Sequence, residues 1–302
     1  MKPAPFDYVR ADSVEHAVAR LAEANDEGEG KVIAGGQSLM PLLALRLAQP
    51  SVLVDINRVP GLDGLITRPG GGLRIGALTR HRALAAQDRH PLLAEAARWV
   101  GHAAIRTRGT LGGSLAHADP AAELPVVAAA SGAVARVAGP DGRREVPAAD
   151  LFAGALQTSL DDDELIEAVD FPAPGRWGFA EFARRHGDFG LVVVAAAEVD
   201  GRLRLALGGV AATPVRPVAA EAVLAGGSLS PARIGEAAEV AAGEIAPAGD
   251  IHATAAYRRH LAGVLTQRAL LEALGEAQVR GTAREGAGQA SPEGTAPGRD
   301  GP

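Results

Sequence analysis

Two short segments constrain this 302-residue chain more than any other feature: Ala34-Gly35-Gly36-Gln37-Ser38-Leu39 and Thr110-Leu111-Gly112-Gly113-Ser114. Each sets a glycine pair after a stretch that reads as extended, with a hydroxyl residue close by. Glycine has no Cβ, so backbone N–H groups in such a bend can approach an anion without obstruction. One Gly-Gly bend alone is adequately explained as a tight turn. Two of them in one half of the chain, each leaving a buried strand, point to two walls of one pyrophosphate site. Neither is a G-x-G-x-x-G or Walker A pattern, so an ordinary dinucleotide fold is not expected.

The elements around these bends alternate between strand and helix. A helix opens at Asp12, where Asp12-Ser13-Val14-Glu15 approximates a capping box and Val14, Ala17, Val18 and Leu21 share a face. Lys31 to Ala34 reads as a buried strand, Leu39 to Leu47 as a helix and Ser51 to Ile56 as the next strand. Strands are expected near Leu65 and over Leu73 to Ala77, then helices over Arg80 to Gln87 and Pro91 to Val100. Ile105 to Thr110 reads as extended, Leu111 to Ser114 as a turn and Pro120 to Ala130 as a helix. A hairpin turning at Pro140-Asp141-Gly142 and a strand from Leu165 to Phe171 follow. After Pro172-Ala173-Pro174-Gly175 the pattern changes. Strands are expected over Gly178 to Arg185, Leu191 to Val199 and Arg202 to Val210, then helices over Arg216 to Leu224, Pro231 to Glu244 and His252 to Leu274. Strands followed by helices indicate a separate α+β unit. The expected units are 1–58, 59–175 and 176–280. Residues 281–302 hold six Gly and three Pro but no Val, Ile, Leu, Met or aromatic residue, and are expected to be a disordered tail.

Composition removes several functions. A net charge of −6 provides no basic field for nucleic acid or anionic lipid. The absence of cysteine excludes thiolate zinc sites, a cysteine nucleophile and any iron–sulfur cluster held by this chain's own thiols. The longest apolar run, Leu191 to Ala197, is far short of the ~20 residues of a membrane helix, and no secretory hydrophobic region follows Met1-Lys2-Pro3. A cytoplasmic protein without a transmembrane segment is expected. His117-Ala118-Asp119 lacks a third ligand at regular spacing, so no metal is expected there, and the two side chains are read as braces for the loop. Ser38 lacks a nucleophile elbow and is not a hydrolase serine.

Lys31-Val32-Ile33-Ala34-Gly35-Gly36-Gln37-Ser38-Leu39-Met40-Pro41, Val54-Asp55-Ile56-Asn57, Ile105-Arg106-Thr107-Arg108-Gly109-Thr110-Leu111-Gly112-Gly113-Ser114-Leu115-Ala116-His117-Ala118-Asp119-Pro120 and Arg184-Arg185-His186-Gly187-Asp188-Phe189 together resemble the FAD-binding medium subunit of molybdenum hydroxylases, the carbon monoxide dehydrogenase and xanthine dehydrogenase family. The resemblance runs from about Phe6 to Leu274, and the wording of the glycine segments leans toward the carbon monoxide dehydrogenase branch. It implies an α+β fold: a two-subdomain FAD-binding domain of the vanillyl-alcohol-oxidase type, then three antiparallel strands and a helical bundle. It also implies partners, a large molybdopterin-binding subunit and a small [2Fe–2S] subunit, assembled as a dimer of heterotrimers.

Carried over residue by residue, the resemblance places Ala34, Gly35, Gly36, Gln37 and Ser38, flanked by Ile33 and Leu39, on one side of the FAD pyrophosphate. Thr110, Leu111, Gly112, Gly113 and Ser114 hold the other side. Glu123 stands where the family has an acidic residue that accepts hydrogen bonds from FAD hydroxyls; alternatively it is a first-turn carboxylate favoured by the helix dipole. Ile105 and Ile166 occupy positions near the flavin ring, or are plain strand core. Phe189 is either the aromatic residue beside the isoalloxazine or core. Ala183 and Val100 depart from the xanthine dehydrogenase branch, which has a lysine and an aromatic near these places. No catalytic acid or base is assigned. The implied role is transfer of electrons from the partner's iron–sulfur clusters through FAD to an external acceptor. A self-contained flavin oxidase or reductase and a non-redox nucleotide-binding scaffold are the alternatives.

Overall fold

The computed structural model describes residues 2–185 and 187–286. Nearest the N-terminus, β1 (Asp7–Arg10), α1 (Val14–Glu27), β2 (Gly30–Ile33), α2 (Leu39–Leu45) and β3 (Val52–Asp55) form an all-parallel sheet in the order β1-β3-β2. Ser13 caps α1 by accepting the His16 N–H at 3.1 Å, satisfying one of the free donors of the first turn. Val14, Ala17, Val18 and Leu21 then pack on Val54 and Ile56. β1 has no counterpart in the expected elements, because its side chains are mostly exposed and carry no alternation. Pairing with β3 alone makes it a strand.

The central unit runs β4 (Leu65–Thr67), β5 (Leu73–Gly76), α3 (His81–Ala86), α4 (Pro91–Trp99), α5 (Ala103–Arg108), α6 (Leu111–His117), α7 (Glu123–Ser131), β6 (Val134–Gly139), β7 (Gly142–Pro147), α8 (Ala148–Leu151), β8 (Phe152–Gly154), β9 (Gln157–Thr158) and β10 (Leu165–Phe171). Its antiparallel sheet has the order β4-β5-β10-β6-β7, and β8 and β9 form a separate ribbon. Every residue of α7 is buried, as expected of a helix that is apolar all round. Leu124, Val126 and Val127 are fully removed from solvent, each contributing about 1.5–3 kcal/mol by burial.

The third unit is an antiparallel sheet of β11 (Trp177–Phe182), β12 (Val192–Val199) and β13 (Arg202–Gly208), covered by α9 (Val218–Ala225), α10 (Pro231–Glu244) and α11 (Ala255–Gly286). One face of β11 and β12 joins the core of α7 and the central sheet. The other face packs on α9, α10 and α11.

Three local expectations are corrected. Residues 105–110, expected extended, belong largely to α5. Arg106 folds its guanidinium back onto the carbonyls of Val100 and Gly101 at 3.0 and 2.6 Å, and the Gly109 N–H closes the turn on the Ile105 carbonyl at 2.8 Å. Residues 111–114, expected as a glycine turn, are the first turn of α6, capped by Thr110 Oγ1 on the Gly113 N–H at 3.2 Å. The helix expected from Pro120 starts at Glu123, since Asp119 first makes a turn by accepting the Ala121 N–H at 2.9 Å. In the stretch expected as a tail, 281–286 are the end of α11, and 287–302 lie outside the described residues.

α11 docks directly on the β11 backbone. A Cβ on Gly178 would stand 1.8 Å from the Ala269 carbonyl oxygen. Gly178→Val is therefore expected to cost about 1–3 kcal/mol or more by overpacking, seen as a lower urea midpoint at unchanged slope; an unchanged midpoint would refute this docking.

Candidate functional site

The two glycine segments meet. A Cβ on Gly35 would lie 2.3 Å from the Arg108 carbonyl oxygen and 3.0 Å from Gly109 Cα, and one on Gly113 would lie 4.0 Å from Ala34 Cβ. Only glycine allows this approach of backbone to backbone. A polar strut holds the junction. Asn57 Nδ2 donates to the Ala34 carbonyl at 2.7 Å, Arg80 Nη2 donates to Asn57 Oδ1 at 2.7 Å, and Arg80 Nη1 donates to the Arg108 carbonyl. Behind it, His81 Nε2–H donates to the Thr110 carbonyl at 2.9 Å. Burial lowers the His81 pKa to about 4, against the opposing Thr110 hydrogen bond, so the ring is neutral at physiological pH.

Along this junction runs a cleft of about 710 Å³, within the range of small-molecule and cofactor sites. Ala34, Gly35, Gly36, Gln37, Ser38 and Leu39 line one wall. Gly36 has φ +74°, where a side chain would be strained. Among the described residues no acceptor pairs with the N–H groups of Gly35, Gly36, Gln37, Ser38 or Leu39, which leaves this wall a row of unspent donors.

Thr110, Gly112, Gly113 and Ser114 line the opposite wall, but its backbone is already committed. The N–H of Leu111 goes to the Thr79 carbonyl at 3.0 Å and that of Gly112 to the Ala77 carbonyl at 2.8 Å. This wall therefore presents hydroxyls and close approach, not backbone donors. A Cβ on Gly112 would stand 2.5 Å from Ala77 Cβ, so Gly112 serves packing between α6 and β5.

Glu123, Ile105, Ile166, Val100 and Phe189 also line the cleft. Phe189 is 67% exposed at its edge. Glu123 is buried at the start of α7; burial, with the nearby Asp119 charge, pushes its carboxyl up to about 7 against its own backbone hydrogen bond. Ile33 and Leu111 do not line the cleft. Leu111 is fully buried in the central core, and Ile33 lies beneath Gly36, 3.7 Å from where a Cβ would be. His117 and Asp119 line the cleft too, and Asp119 braces the loop as expected. Ala183 does not reach it. His186 lies outside the described residues. Arg80 and His81 carry no motif that marks them in the sequence, whereas Asn57 could have been sought as the polar residue that ends Val54-Asp55-Ile56-Asn57.

The family models agree with this architecture. Residues 4–174 match the FAD binding domain in molybdopterin dehydrogenase, and residues 177–273 match the CO dehydrogenase flavoprotein C-terminal domain. The chain is 43% identical over 291 residues to the 6-hydroxypseudooxynicotine dehydrogenase complex subunit alpha of Paenarthrobacter nicotinovorans, covering 92% of this chain and 97% of the relative. Among solved structures it is similar to carbon monoxide dehydrogenase from Hydrogenophaga pseudoflava, with TM-score 0.85, 37% identity and coverage of 91% and 99% of the two chains. It is also similar to quinoline 2-oxidoreductase from Pseudomonas putida 86, with TM-score 0.84, 38% identity and coverage of 90% and 98%. The chain belongs to the FAD-binding medium subunits of molybdenum hydroxylases. It is an oxidoreductase subunit whose cofactor is FAD. No helix among the described residues is long and apolar enough to cross a membrane.

The cleft fits that cofactor on its own chemistry. A pyrophosphate needs donors, which the unpaired N–H groups and the hydroxyls of Ser38, Thr110 and Ser114 supply. Arg80 should be the brace between the walls without itself lining the cleft. Arg80→Ala is expected to weaken FAD binding at least tenfold, about 1.4 kcal/mol, with little change in the far-ultraviolet circular dichroism. Unchanged affinity in equilibrium dialysis would show that the walls hold together without the strut.

Proposed function

We propose that this chain is the flavin-carrying electron-transfer subunit of a three-subunit enzyme. A large subunit would hold a molybdopterin cofactor, and a small subunit two [2Fe–2S] clusters, assembled as a dimer of heterotrimers in the cytoplasm. The observation that carries this reading is the contact of Gly35 with Arg108 and Gly109, which joins a wall of unpaired N–H groups to a wall of hydroxyls in one cleft. Bound FAD would supply the ability to take electrons singly and pass them on in pairs. The absence of cysteine requires that any cluster feeding it by thiolate ligation belong to a partner.

In this assignment the backbone of Gly35, Gly36, Gln37, Ser38 and Leu39 binds one side of the pyrophosphate. Thr110 and Ser114 donate from the other, with Gly113 admitting close approach. Glu123 accepts from hydroxyls of the flavin's polyol chain. Ile105, Ile166 and Val100 form an apolar surface for the ring, and Phe189 flanks it. Ile33 and Leu111 support from behind. The units would be 1–58, 59–175 and 176–280.

Two measurements test the proposal. The full chain, expressed with its two partners, should carry one flavin that bleaches with substrate only in the complex. Bleaching of the isolated chain by a small substrate, or full turnover of a flavin-free complex, would overturn it. Because the Glu123 carboxyl titrates at about 7, FAD should dissociate more readily as the pH falls from 8 to 6 and the acceptor is protonated. Glu123→Gln should weaken binding at pH 8 and flatten that profile, and an unaltered profile would remove Glu123 from the site.

A further inference from the structure

The face of β11 toward α7 carries Trp177, Phe179 and Glu181 in strand alternation, and the same face of β12 carries Val193, Ala195 and Ala197. Apolar side chains occupy all of these positions except Glu181. It stands opposite Val193, is 8% exposed, and its Oε2 is buried with no hydrogen-bond partner. Gly190 closes over it, since a Cβ there would lie 3.1 Å from Glu181 Cγ and 2.7 Å from Val193 Cγ2. Val193 lies beside Gly208, and Gly208 abuts Val126, one helical turn beyond Glu123 on α7. Glu181 is thereby set behind the first turn of α7, within the electrostatic reach of Glu123.

Among the described residues no cation compensates it. Of these, Glu123 is the one charge on α7 that acts on it, and from β12 the facing residues are apolar. On α4, Glu95 is bonded to Arg98 and Trp99. On α11, Glu272 accepts the Phe179 N–H at 2.8 Å, and Arg258 is committed to the carbonyls of Leu191 and Gly209 and to Asp250. Asp119, near Glu123, adds further negative charge. Two buried carboxyls without a counter-ion do not both ionise at neutral pH.

We propose that Glu181 is the proton-holding partner of Glu123: the two buried carboxyls share one proton that resides on Glu181, leaving a single negative charge, on the member that lines the cleft. Glu181 is thus a positioning residue. Its burial, reinforced by the Glu123 charge, raises its pKa to about 9, above the value of about 7 for Glu123. The functional consequence rests on the assignment of Glu123 to FAD hydroxyls, but the proton placement does not.

The first test uses the full chain without flavin. In the unfolded chain Glu181 titrates near 4.5, and in the folded chain at about 9, so between these values the folded state holds one more proton at this site. Wild-type stability should accordingly fall relative to Glu181→Gln as pH rises, by about tenfold in the unfolding constant per pH unit between 5 and 8, and level off above about 9. Infrared spectra at pH 8, where Glu123 is ionised and Glu181 is not, should show a protonated-carboxyl band that Glu181→Gln lacks. In Glu123→Gln that band should titrate at lower pH, because the neighbouring charge is gone. Parallel stability profiles with no difference in the band would show an ionised Glu181 and overturn the proposal; a band whose titration ignores Glu123→Gln would overturn the sharing.

The second test reads the flavin. FAD release from the wild type should rise as pH passes about 9 and a second charge appears beside Glu123, and Glu181→Gln should lack that alkaline rise. Proton placement as stated, with FAD release insensitive to both variants, would instead refute the role of Glu123 in the cofactor site.

Discussion

The molecule depends on a contact between two stretches of bare backbone. Gly35 lies against the carbonyl of Arg108 and the Cα of Gly109 so closely that no side chain could intervene. One partner follows β2 of the parallel sheet, and the other joins α5 to α6 in the central unit. A Cβ at Gly35 would push these units apart and split the cleft that both line. The polar strut of Arg80 and Asn57 reinforces the contact from the side. Such bonds, formed in a partly buried place, add geometric definition as well as a modest net free energy.

The two walls divide their labour in a way that follows from where their hydrogen bonds go. After β2 the chain makes an open bend whose N–H groups stay unpaired among the described residues, suiting it to an anion. After Gly109 the chain immediately winds into α6, so its N–H groups are consumed by Thr79, Ala77 and the Thr110 cap. What remains there for a ligand is hydroxyl chemistry. α7 links this cleft to the third unit. Its first turn places Glu123 in the cleft wall, while its apolar surface is the common core of the central sheet and β11–β12. Burial on both sides makes the environment of Glu123 and Glu181 poor in water, which raises both carboxyls above the ordinary carboxylate range, Glu181 the more.

Much of the fold was legible because alternation and punctuation were strong. Asp200-Gly201 joins β12 to β13, and Pro140-Asp141-Gly142 turns β6 into β7. Pro231 after Ser230 starts α10, where Ser230 Oγ accepts the Arg233 N–H at 3.3 Å. The failures were also physical. Ile-Arg-Thr-Arg at 105–108 alternates like a strand, yet Arg106 uses its guanidinium to satisfy carbonyls that precede α5. β1 is exposed, so no apolar period marked it. Within the second glycine segment, Leu111 faces the core and Ser114 lines the cleft, a division that follows from the first turn of α6 and not from the turn expected there.

The sequence by itself determined that two glycine pairs stand far apart in one half of the chain, that no thiolate chemistry is possible in this chain, and that a strand-then-helix unit follows Pro174, because glycine content, cysteine count and hydrophobic period are properties of short windows or of composition. Tertiary structure alone decided that the second glycine pair opens a helix, that Gly35 touches the chain just before it, that one wall offers N–H groups and the other hydroxyls, and that Glu123 and Glu181, 58 positions apart in the chain, fall within reach of each other in one buried layer. Those outcomes depend on which backbone donors are consumed by distant partners and on how much water is excluded. Neither quantity is defined until the sheets and α7 have packed.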